Sequence, residues 1–396
     1  MVNERMYGLG AEPSAIRELF AYGMVRKAEI GAENVFDFSI GNPSVPAPDA
    51  VKQAVLELMD EEPSALHGYT PAAGDPRVRQ AVADHIRRRY DVPAQPEQVY
   101  LTAGAAAGLA ISISAVTEPG DEVIIIAPFF PEYKVWIGTA GCACVEVPAH
   151  VPDFQLDVEA IEAAITPKTK LLVLPFPCNP SGAVMRREDL EPIAEVLRGT
   201  DIMVLSDEIY AELTYGGARH VSFASLPGMK ERTVVVNGFS KAYAMTGWRV
   251  GYALANKEIT GVMSRYASHS TGAPSTISQW ASVEALTGPQ QPREQMRCAF
   301  EKRRNYLVER MNQIAGVRCL RPQGAFYVMM DLKQILGATI QGVRITDCDV
   351  FAKAFLDQAK VAVVPGSGFY APEYVRWSYA TSMENIEKGL DRLEKF

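Results

Sequence analysis

Short apolar runs alternate with amphipathic helical patterns from about residue 46 to residue 285, and this alternation constrains the fold more than any other feature. Strands that are apolar along nearly their whole length are buried on both faces, as in parallel sheets covered by helices on each side. The pattern therefore predicts an α/β fold with a mostly parallel sheet. The predicted strands are Gln98–Thr102, Glu122–Ala127, Cys142–Val147, Leu171–Pro175, Ile202–Ser206, Thr233–Asn237 and Arg249–Ala253.

The pattern changes near residue 286. A long polar helix is predicted over Arg293–Ile314, and short strands and helices follow it in mixed order. This mixture predicts a smaller α+β domain. Its predicted strands are Val317–Leu320, Ala325–Asp331, Ala362–Val364 and Arg376–Tyr379, and its further helices are Asp349–Gln358 and Met383–Lys395.

The first 45 residues contain a helical pattern over Ser14–Ala28 and a strand-like run over Val35–Ile40. The tripeptide Gly41-Asn42-Pro43 ends this run, and a proline-rich segment follows, which is typical of a hinge or crossover between domains. We therefore predict that the large domain comprises residues 46–285, and that residues 1–45 are a candidate partner of the smaller domain formed by residues 286–396.

Composition excludes several classes of function. The chain has 396 residues, 48% of them hydrophobic, which suffices for two or three domains, and a net charge of −8, which disfavours a broad nucleic-acid surface. It has neither a long apolar run nor the pattern of a signal peptide, so no membrane association is expected. Six scattered cysteines without zinc-site spacing indicate reduced thiols, a cytoplasmic protein and no metal site.

One lysine follows a buried strand directly. The β-branched run Thr233–Val236 leads through Ser240 to Lys241, and Arg249 follows. Ligands of open α/β sheets bind where strands end, and a partly desolvated lysine there has a lowered pKa that frees its amine for carbonyl chemistry. A serine–lysine pair alone is more often an ordinary surface loop.

The full stretch is more specific. Ser-Lys-x-x-x-x-x-Gly-x-Arg-x-Gly, over Ser240 to Gly251, resembles the cofactor-lysine signature of the class I/II aminotransferases, which are fold-type I pyridoxal 5′-phosphate (PLP) enzymes. The resemblance extends from about Ile16 to the C-terminus. It implies a large PLP-binding domain, a discontinuous small domain built from residues 1–45 and 286–396, and Lys241 as the Schiff-base lysine and proton shuttle.

Two further strand ends match this family. The run Ile202–Ser206 leads into Asp207, which the resemblance pairs with the cofactor ring nitrogen, and into Tyr210, which it places on the phenolate oxygen. Asn179, in Pro177-Cys178-Asn179-Pro180-Ser181-Gly182, matches the second contact of that oxygen and the substrate, with a cis bond before Pro180. Without the resemblance, a strand cap, a core tyrosine and a plain turn explain these residues equally well.

The phosphate requires backbone N–H groups at the start of a helix. Gly104, Ala105 and Ala106 end a strand and open a helix of small residues, and Ser240 and Arg249 complete the predicted cradle. A turn of this composition alone more often reflects tight packing. His67-Gly68-Tyr69-Thr70-Pro71 resembles the family loop whose tyrosine reaches the phosphate of the other subunit, so the resemblance implies a homodimer with Tyr69 contributed in trans.

The remaining predicted contacts concern the ring face and the substrate. Phe130 matches the position that stacks on the cofactor ring, although adjacent phenylalanines are usually core residues. Arg376, in Tyr374-Val375-Arg376-Trp377-Ser378, matches the arginine that holds the substrate carboxylate by two hydrogen bonds. Gly41 resembles the glycine whose backbone meets the same carboxylate, so substrate binding is expected to draw the two domains together.

One position departs from part of the family. Some bacterial aspartate aminotransferases carry a lysine in the phosphate turn that contacts the distal carboxylate, and the matching residue here is Ala106. This weakens an aspartate assignment and favours a neutral or aromatic donor, with 2-oxoglutarate as a candidate acceptor. Lys134, Arg265 and His269 are alternative cations, with His269 the best of the three, although each is more simply a surface or packing residue.

The sequence thus predicts a homodimeric, cytoplasmic PLP-dependent aminotransferase that moves the amino group of an α-amino acid to a 2-oxo acid by a ping-pong mechanism. A carbon–sulfur β-lyase or a decarboxylase on the same fold is the alternative, because either would use the same lysine, aspartate and phosphate cradle. A PLP-binding regulator that is not an enzyme is a distant alternative, since only a short segment precedes Gly41.

Overall fold

The structure is a computed structural model that describes residues 2–11, 15–60 and 63–396. Its strands, numbered along the chain, are β1 (Phe36–Asp37), β2 (Val99–Thr102), β3 (Glu122–Ala127), β4 (Ala143–Pro148), β5 (Thr169–Leu174), β6 (Met203–Asp207), β7 (Thr233–Gly238), β8 (Gly251–Leu254), β9 (Arg318–Cys319), β10 (Tyr327–Asp331), β11 (Thr339–Ile340), β12 (Val343–Arg344), β13 (Val361–Ala362), β14 (Val364–Pro365) and β15 (Tyr374–Ser378).

The α-helices of the described chain are α1 (Glu4–Ala11), α2 (Ala15–Ile30), α3 (Asp49–Leu58), α4 (Pro63–His67), α5 (Pro76–Tyr90), α6 (Ala105–Val116), α7 (Glu132–Thr139), α8 (Val158–Ala163), α9 (Arg187–Leu197), α10 (Lys257–Ser270), α11 (Thr276–Thr287), α12 (Gln291–Met311), α13 (Cys348–Ala354) and α14 (Met383–Lys395). The helix predicted over Ser14–Ala28 is α2, and Ser14 itself lies outside the described residues. Within the described ranges, no helix combines the length and the apolar character needed to cross a bilayer.

Seven strands of the described chain form the central sheet, in the order β2-β8-β7-β6-β5-β3-β4. β8 runs antiparallel to both neighbours, and the other strands are parallel to one another. Alternate residues of each strand enter opposite cores: Val123 and Ile125 pack with α6, α7 and α10, whereas Ile124 and Ile126 pack with α8 and α9. The sheet is therefore covered on both faces, which confirms the predicted α/β class.

The C-terminal part of the chain has its own antiparallel sheet, in the order β14-β15-β10-β9, with α12 and α14 in the same core. The N-terminal segment joins this part, because β1 pairs in parallel with β13. Phe38 is fully buried there, and its ring lies 4.6 Å from that of Trp377. This packing supports the assignment of residues 1–45 to the smaller domain; the exact boundaries stay a prediction.

Several predicted elements differ in detail from the observed ones. The strand predicted from Arg249 begins at Gly251, because Arg249 has a φ of 52° that a strand does not allow. The strand predicted over Ala362–Val364 is two strands, β13 and β14, that belong to different sheets. The helix predicted over Asp349–Gln358 changes after α13 into a π-helical turn over Phe355–Ala359, and the hairpin of β11 and β12 was not predicted.

The fold gathers chemically active residues at one edge of the central sheet. The carboxyl ends of β5, β6 and β7 are neighbours there. Asn179 follows β5, Asp207 is the last residue of β6 and Lys241 follows β7. Ligands bind at the carboxyl edge of the sheet in α/β folds, so a site is expected at this edge.

Candidate active site

A cavity of about 350 Å³ opens at this edge and reaches the smaller domain. Its lining includes eleven of the residues that the sequence singled out, from segments up to 335 positions apart (Gly41 to Arg376). These are Gly41, Ala105, Ala106, Phe130, Asn179, Asp207, Tyr210, Ser240, Lys241, Arg249 and Arg376. The cavity volume matches that of a small-molecule site.

Lys241 is one of three cations that line the cavity in the described chain, with Arg249 and Arg376. Its Nζ donates a hydrogen bond to the backbone carbonyl of Gly41, at 2.6 Å. Burial, together with the positive charges of Arg376 and Arg249, lowers the pKa of Lys241 to about 8, while the charge of Asp207 opposes them. An amine with such a pKa is neutral far more often at pH 7 than an ordinary lysine, so it can act as a nucleophile or a base.

Asp207 is buried and lines the same cavity. The hydroxyl of Tyr133 donates to its Oδ2 at 2.6 Å, and the backbone N–H of Ile209 donates to its Oδ1 at 3.2 Å. Burial raises the pKa of Asp207 to about 6, and these two hydrogen bonds limit the rise. The carboxyl group is therefore mostly ionised at pH 7, and any cationic N–H placed against it would be stabilised.

Arg376 is a buried cation in the middle of β15. Its Nη1 donates to Asn179 Oδ1 and its Nη2 to the backbone carbonyl of Ser39, both at 2.8 Å. Its guanidinium also lies 4.3 Å from the ring centre of Tyr327. Three separate segments thus hold this arginine at the cavity wall. The Asn179–Pro180 bond is cis, as the resemblance implies.

The first turn of α6 lines one end of the cavity, and this end suits an anion. Gly104 caps this helix with a φ of 85°, which a residue with a side chain rarely adopts. A Cβ atom there would lie 2.5 Å from Nη2 of Arg249, so the glycine lets the guanidinium approach the helix. Unpaired N–H groups of the first helical turn, the Arg249 charge and the Ser240 hydroxyl together fit a phosphate group.

The other predicted residues fall into two groups. Tyr210 and Phe130 line the cavity, and the Tyr210 hydroxyl shares a hydrogen bond with that of Tyr327 at 3.0 Å. Tyr69 is fully exposed and does not line the cavity of its own chain.

None of the three alternative cations lines this cavity in the described chain. Lys134 pairs with Glu146 at 2.7 Å, while Arg265 and His269 are exposed on α10.

Two tyrosines of the site were missed from the sequence. Tyr133 lies three residues after Phe130, and its place in the first turn of a helix directly after a strand end was a usable signal. Tyr327 lies in β10 of the smaller domain, and the sequence pattern there predicts only a core residue of an apolar strand. Only the packing of the two domains brings it to Tyr210.

Comparison with known proteins decides the family. The model of "Aminotransferase class I and II" matches residues 33–393. The aspartate aminotransferase of Geobacillus stearothermophilus is 38% identical over 94% of this chain and 93% of its own. The aromatic-amino-acid aminotransferase 2 of Thermococcus litoralis is 36% identical over 97% and 95%. The crystal structure of the Rhizobium meliloti aspartate aminotransferase superposes with a TM-score of 0.94 at 35% identity, covering 100% of this chain and 98% of that one.

The chain belongs to the class I and II aminotransferase family. Members of this family depend on PLP, so the protein is a PLP-dependent aminotransferase whose substrates are amino acids and 2-oxo acids. The residues in the cavity fit this cofactor, because a cradle for its phosphate, a buried carboxylate and a lysine with a lowered pKa lie in one space. The match over nearly the whole chain favours the aminotransferase over the lyase and the regulator.

The structure predicts that Gly41 tolerates no side chain while Tyr327 keeps its hydroxyl. A Cβ atom at position 41 would lie 2.1 Å from the Tyr327 hydroxyl and 3.3 Å from the ring carbon that bears it. We expect Gly41→Ala to lower thermal stability, with overpacking worth about 1–3 kcal/mol, and to lower kcat/KM.

The double variant Gly41→Ala/Tyr327→Phe removes the colliding oxygen. It should therefore recover part of the stability that Gly41→Ala loses, measured as a double-mutant cycle of unfolding midpoints with Tyr327→Phe as the control. Strict additivity of the two changes would contradict the contact.

Proposed function

We propose that this cavity is the active site of the aminotransferase, with Lys241 as the lysine that holds PLP covalently. The observation that carries the proposal is the meeting of Lys241, Asp207 and Arg376 in one cavity, with the pKa of the lysine lowered to about 8. Strongly perturbed pKa values in a cleft mark functional sites.

Asp207, Tyr210, Asn179 and Phe130 are proposed to position the cofactor ring. When bound, PLP supplies the electron sink for reactions at the substrate Cα. The buried carboxylate of Asp207 is suited to keep the ring nitrogen protonated, and Tyr133 orients that carboxylate. The Tyr210 hydroxyl and the Asn179 amide are the donors proposed for the phenolate oxygen of the cofactor. The Phe130 ring would cover one face of the cofactor ring.

The phosphate is proposed to bind at the start of α6. The backbone N–H groups of Ala105 and Ala106 and the hydroxyl of Ser240 would donate to it, and Arg249 would neutralise its charge. The N–H of Gly104, the third predicted donor, already donates to the carbonyl of Thr102 at 2.8 Å. The close approach of the Arg249 guanidinium to Gly104 supports this arrangement. An anion fixed at this end of the cavity leaves the reactive end near Lys241.

Lys241 is also proposed to carry the proton from the substrate Cα. With a pKa of about 8, roughly a tenth of the amine is neutral at pH 7, some 300-fold more than for an ordinary lysine. The neutral Nζ would accept the proton from the substrate Cα and, once charged, would donate it to the neighbouring carbon of the cofactor. Burial and the two arginines that lower the pKa thus adjust the amine to general acid–base work.

Arg376 is proposed to bind the substrate carboxylate, together with the backbone of Gly41 and the amide of Asn179. Its guanidinium is already oriented by Asn179 and Ser39, which lowers the cost of ordering it on binding. Since Arg376 and Gly41 belong to the proposed smaller domain and Asn179 to the large one, a bound carboxylate would draw the domains together. The reaction then follows a ping-pong sequence of two half-reactions.

The enzyme is proposed to be a cytoplasmic homodimer. A tyrosine as exposed as Tyr69, at 109% of its reference area, supports a partner that covers it, and its place in the matched family loop supports contact with the partner's phosphate. All six cysteines are free thiols, which supports a reducing compartment.

The covalent role of Lys241 predicts a clear chemical result. Treatment of the wild type with PLP and borohydride should leave a reduced adduct on the chain, detected by mass spectrometry of the intact protein. Lys241→Ala should leave none, since Lys241 is the only lysine among the described residues that line the cavity. Lys257→Ala, which removes an exposed lysine, is the control and should keep the adduct. An adduct on Lys241→Ala would refute the assignment.

The role of Arg376 predicts a loss in substrate binding without a loss of cofactor. Arg376→Lys keeps the charge but cannot form two parallel hydrogen bonds to a carboxylate, so kcat/KM should fall roughly 100-fold or more. The visible spectrum of bound PLP should stay unchanged. Arg310→Lys, at an exposed ion pair, should behave as the wild type. An unchanged kcat/KM for Arg376→Lys would assign the carboxylate to another residue.

The trans role of Tyr69 predicts complementation between two impaired variants. Co-expressed Tyr69→Ala and Lys241→Ala chains form mixed dimers in which one site has Lys241 from one chain and Tyr69 from the other. With random pairing, about a quarter of all sites are then complete. We expect the mixture to recover up to that share of wild-type activity, well above either variant alone. If Tyr69 served its own chain, mixing would recover nothing.

A further inference from the structure

Glu132 is a half-buried carboxylate next to residues that line the cavity, and the proposed mechanism does not use it. It is the first residue of α7 and lies between Phe130 and Tyr133, which both line the cavity. Its Oε2 is buried and has no hydrogen-bond partner among the described residues. A buried acceptor without a donor is costly, so its retention points to a ligand or to a function.

Arg376 likewise has a buried hydrogen-bonding atom without a partner. Its Nε is also buried without a partner within the described chain, although both terminal nitrogens are bonded. Burial lowers the pKa of Arg376, and Tyr327, Tyr210 and the carboxylate of Glu132 partly offset this. The charge of Glu132 thus acts on Arg376, in keeping with its place between two residues that line the same cavity as Arg376.

Among the described residues that line the cavity, the only cations are Lys241, Arg249 and Arg376, so none is left over near Glu132 for a second carboxylate. Ala106 has no charge, and Lys134 is paired with Glu146. Both terminal nitrogens of Arg249 donate to backbone carbonyls, that of Thr246 and that of Ala103 beside the phosphate turn. A substrate held by Arg376 through its α-carboxylate thus meets the negative charge of Glu132 without a compensating positive one.

We propose that Glu132 is a specificity residue that selects against amino acids and 2-oxo acids with a second carboxylate, and that favours uncharged or hydrogen-bond-donating side chains. Two carboxylates brought together out of water repel each other, whereas an amide or hydroxyl donor satisfies the unpaired Oε2. The inference rests on the proposed function, because it requires Arg376 to hold the α-carboxylate. It sets this chain apart from relatives that are named aspartate aminotransferases.

Pairs of substrates that differ by charge but hardly by shape test the proposal on the PLP-loaded dimer. The ratio of kcat/KM for aspartate to that for asparagine, and for glutamate to that for glutamine, isolates the repulsion. We expect the wild type to prefer the amide of each pair. Glu132→Gln should raise both ratios by about tenfold or more, because it removes the charge and keeps the shape.

Two further variants separate the charge from its surroundings. Glu132→Asp keeps the charge and should leave the preference for the amide in place. Glu146→Gln removes a carboxylate outside the cavity, that of the Lys134 pair, and should leave both ratios within about twofold of the wild type. Equal ratios in the wild type and Glu132→Gln, or a wild type that prefers the dicarboxylates, would overturn the proposal.

Binding of unreactive probes keeps the test decisive if a variant does not turn over. Succinate and succinamate differ by one charge, and their dissociation constants follow from the change in the visible spectrum of bound PLP. Glu132→Gln should gain affinity for succinate relative to succinamate, and no gain would refute the proposal. A wild type that binds no PLP and transaminates no amino acid would instead refute the proposed function, which is a separate outcome.

Discussion

The cavity proposed as the active site depends on keeping a guanidinium cation buried where the two parts of the chain meet. Arg376 comes from the sheet of the C-terminal part, yet its hydrogen bonds go to Asn179 after β5 and to Ser39 after β1. A buried charge is tolerated only with such partners. The cavity is therefore complete only when all three segments are assembled, which couples the fold of the smaller domain to the chemistry of the large one.

The same cation sets the properties of its neighbours. Its charge adds to burial in lowering the pKa of Lys241, and Asp207 acts against both. Burial alone would favour a neutral lysine and a neutral aspartate; the hydrogen bonds from Tyr133 and Ile209 keep Asp207 closer to its ionised form. The cavity thus holds both an amine that is easily deprotonated and an anion, which is the separation of roles that acid–base chemistry on one substrate requires.

The sequence predicts features that depend on neighbouring residues better than features that depend on contacts between distant segments. Lys241 and Asp207 come directly after apolar strands, so the strand pattern alone places them at the same edge of the sheet. The break between β13 and β14 could not be seen, because Val363 continues the apolar pattern while its neighbours pair with different sheets. Tyr327 was missed for a related reason, since its contact with Tyr210 joins residues 117 positions apart and depends on domain packing.

Specificity is the property that local motifs predict least. The motifs around Lys241 and Asp207 are proposed to contact the cofactor. The cofactor is the same for every amino donor, so these motifs carry no information about the donor. Charge around the cavity is what distinguishes substrate side chains, and on the proposal above two positions change it in the same direction: Ala106 supplies no cation, and Glu132 adds an anion. Either change alone has a simpler structural explanation. Together they remove the attraction for a second carboxylate and add a repulsion, which a site evolved for dicarboxylates would not combine.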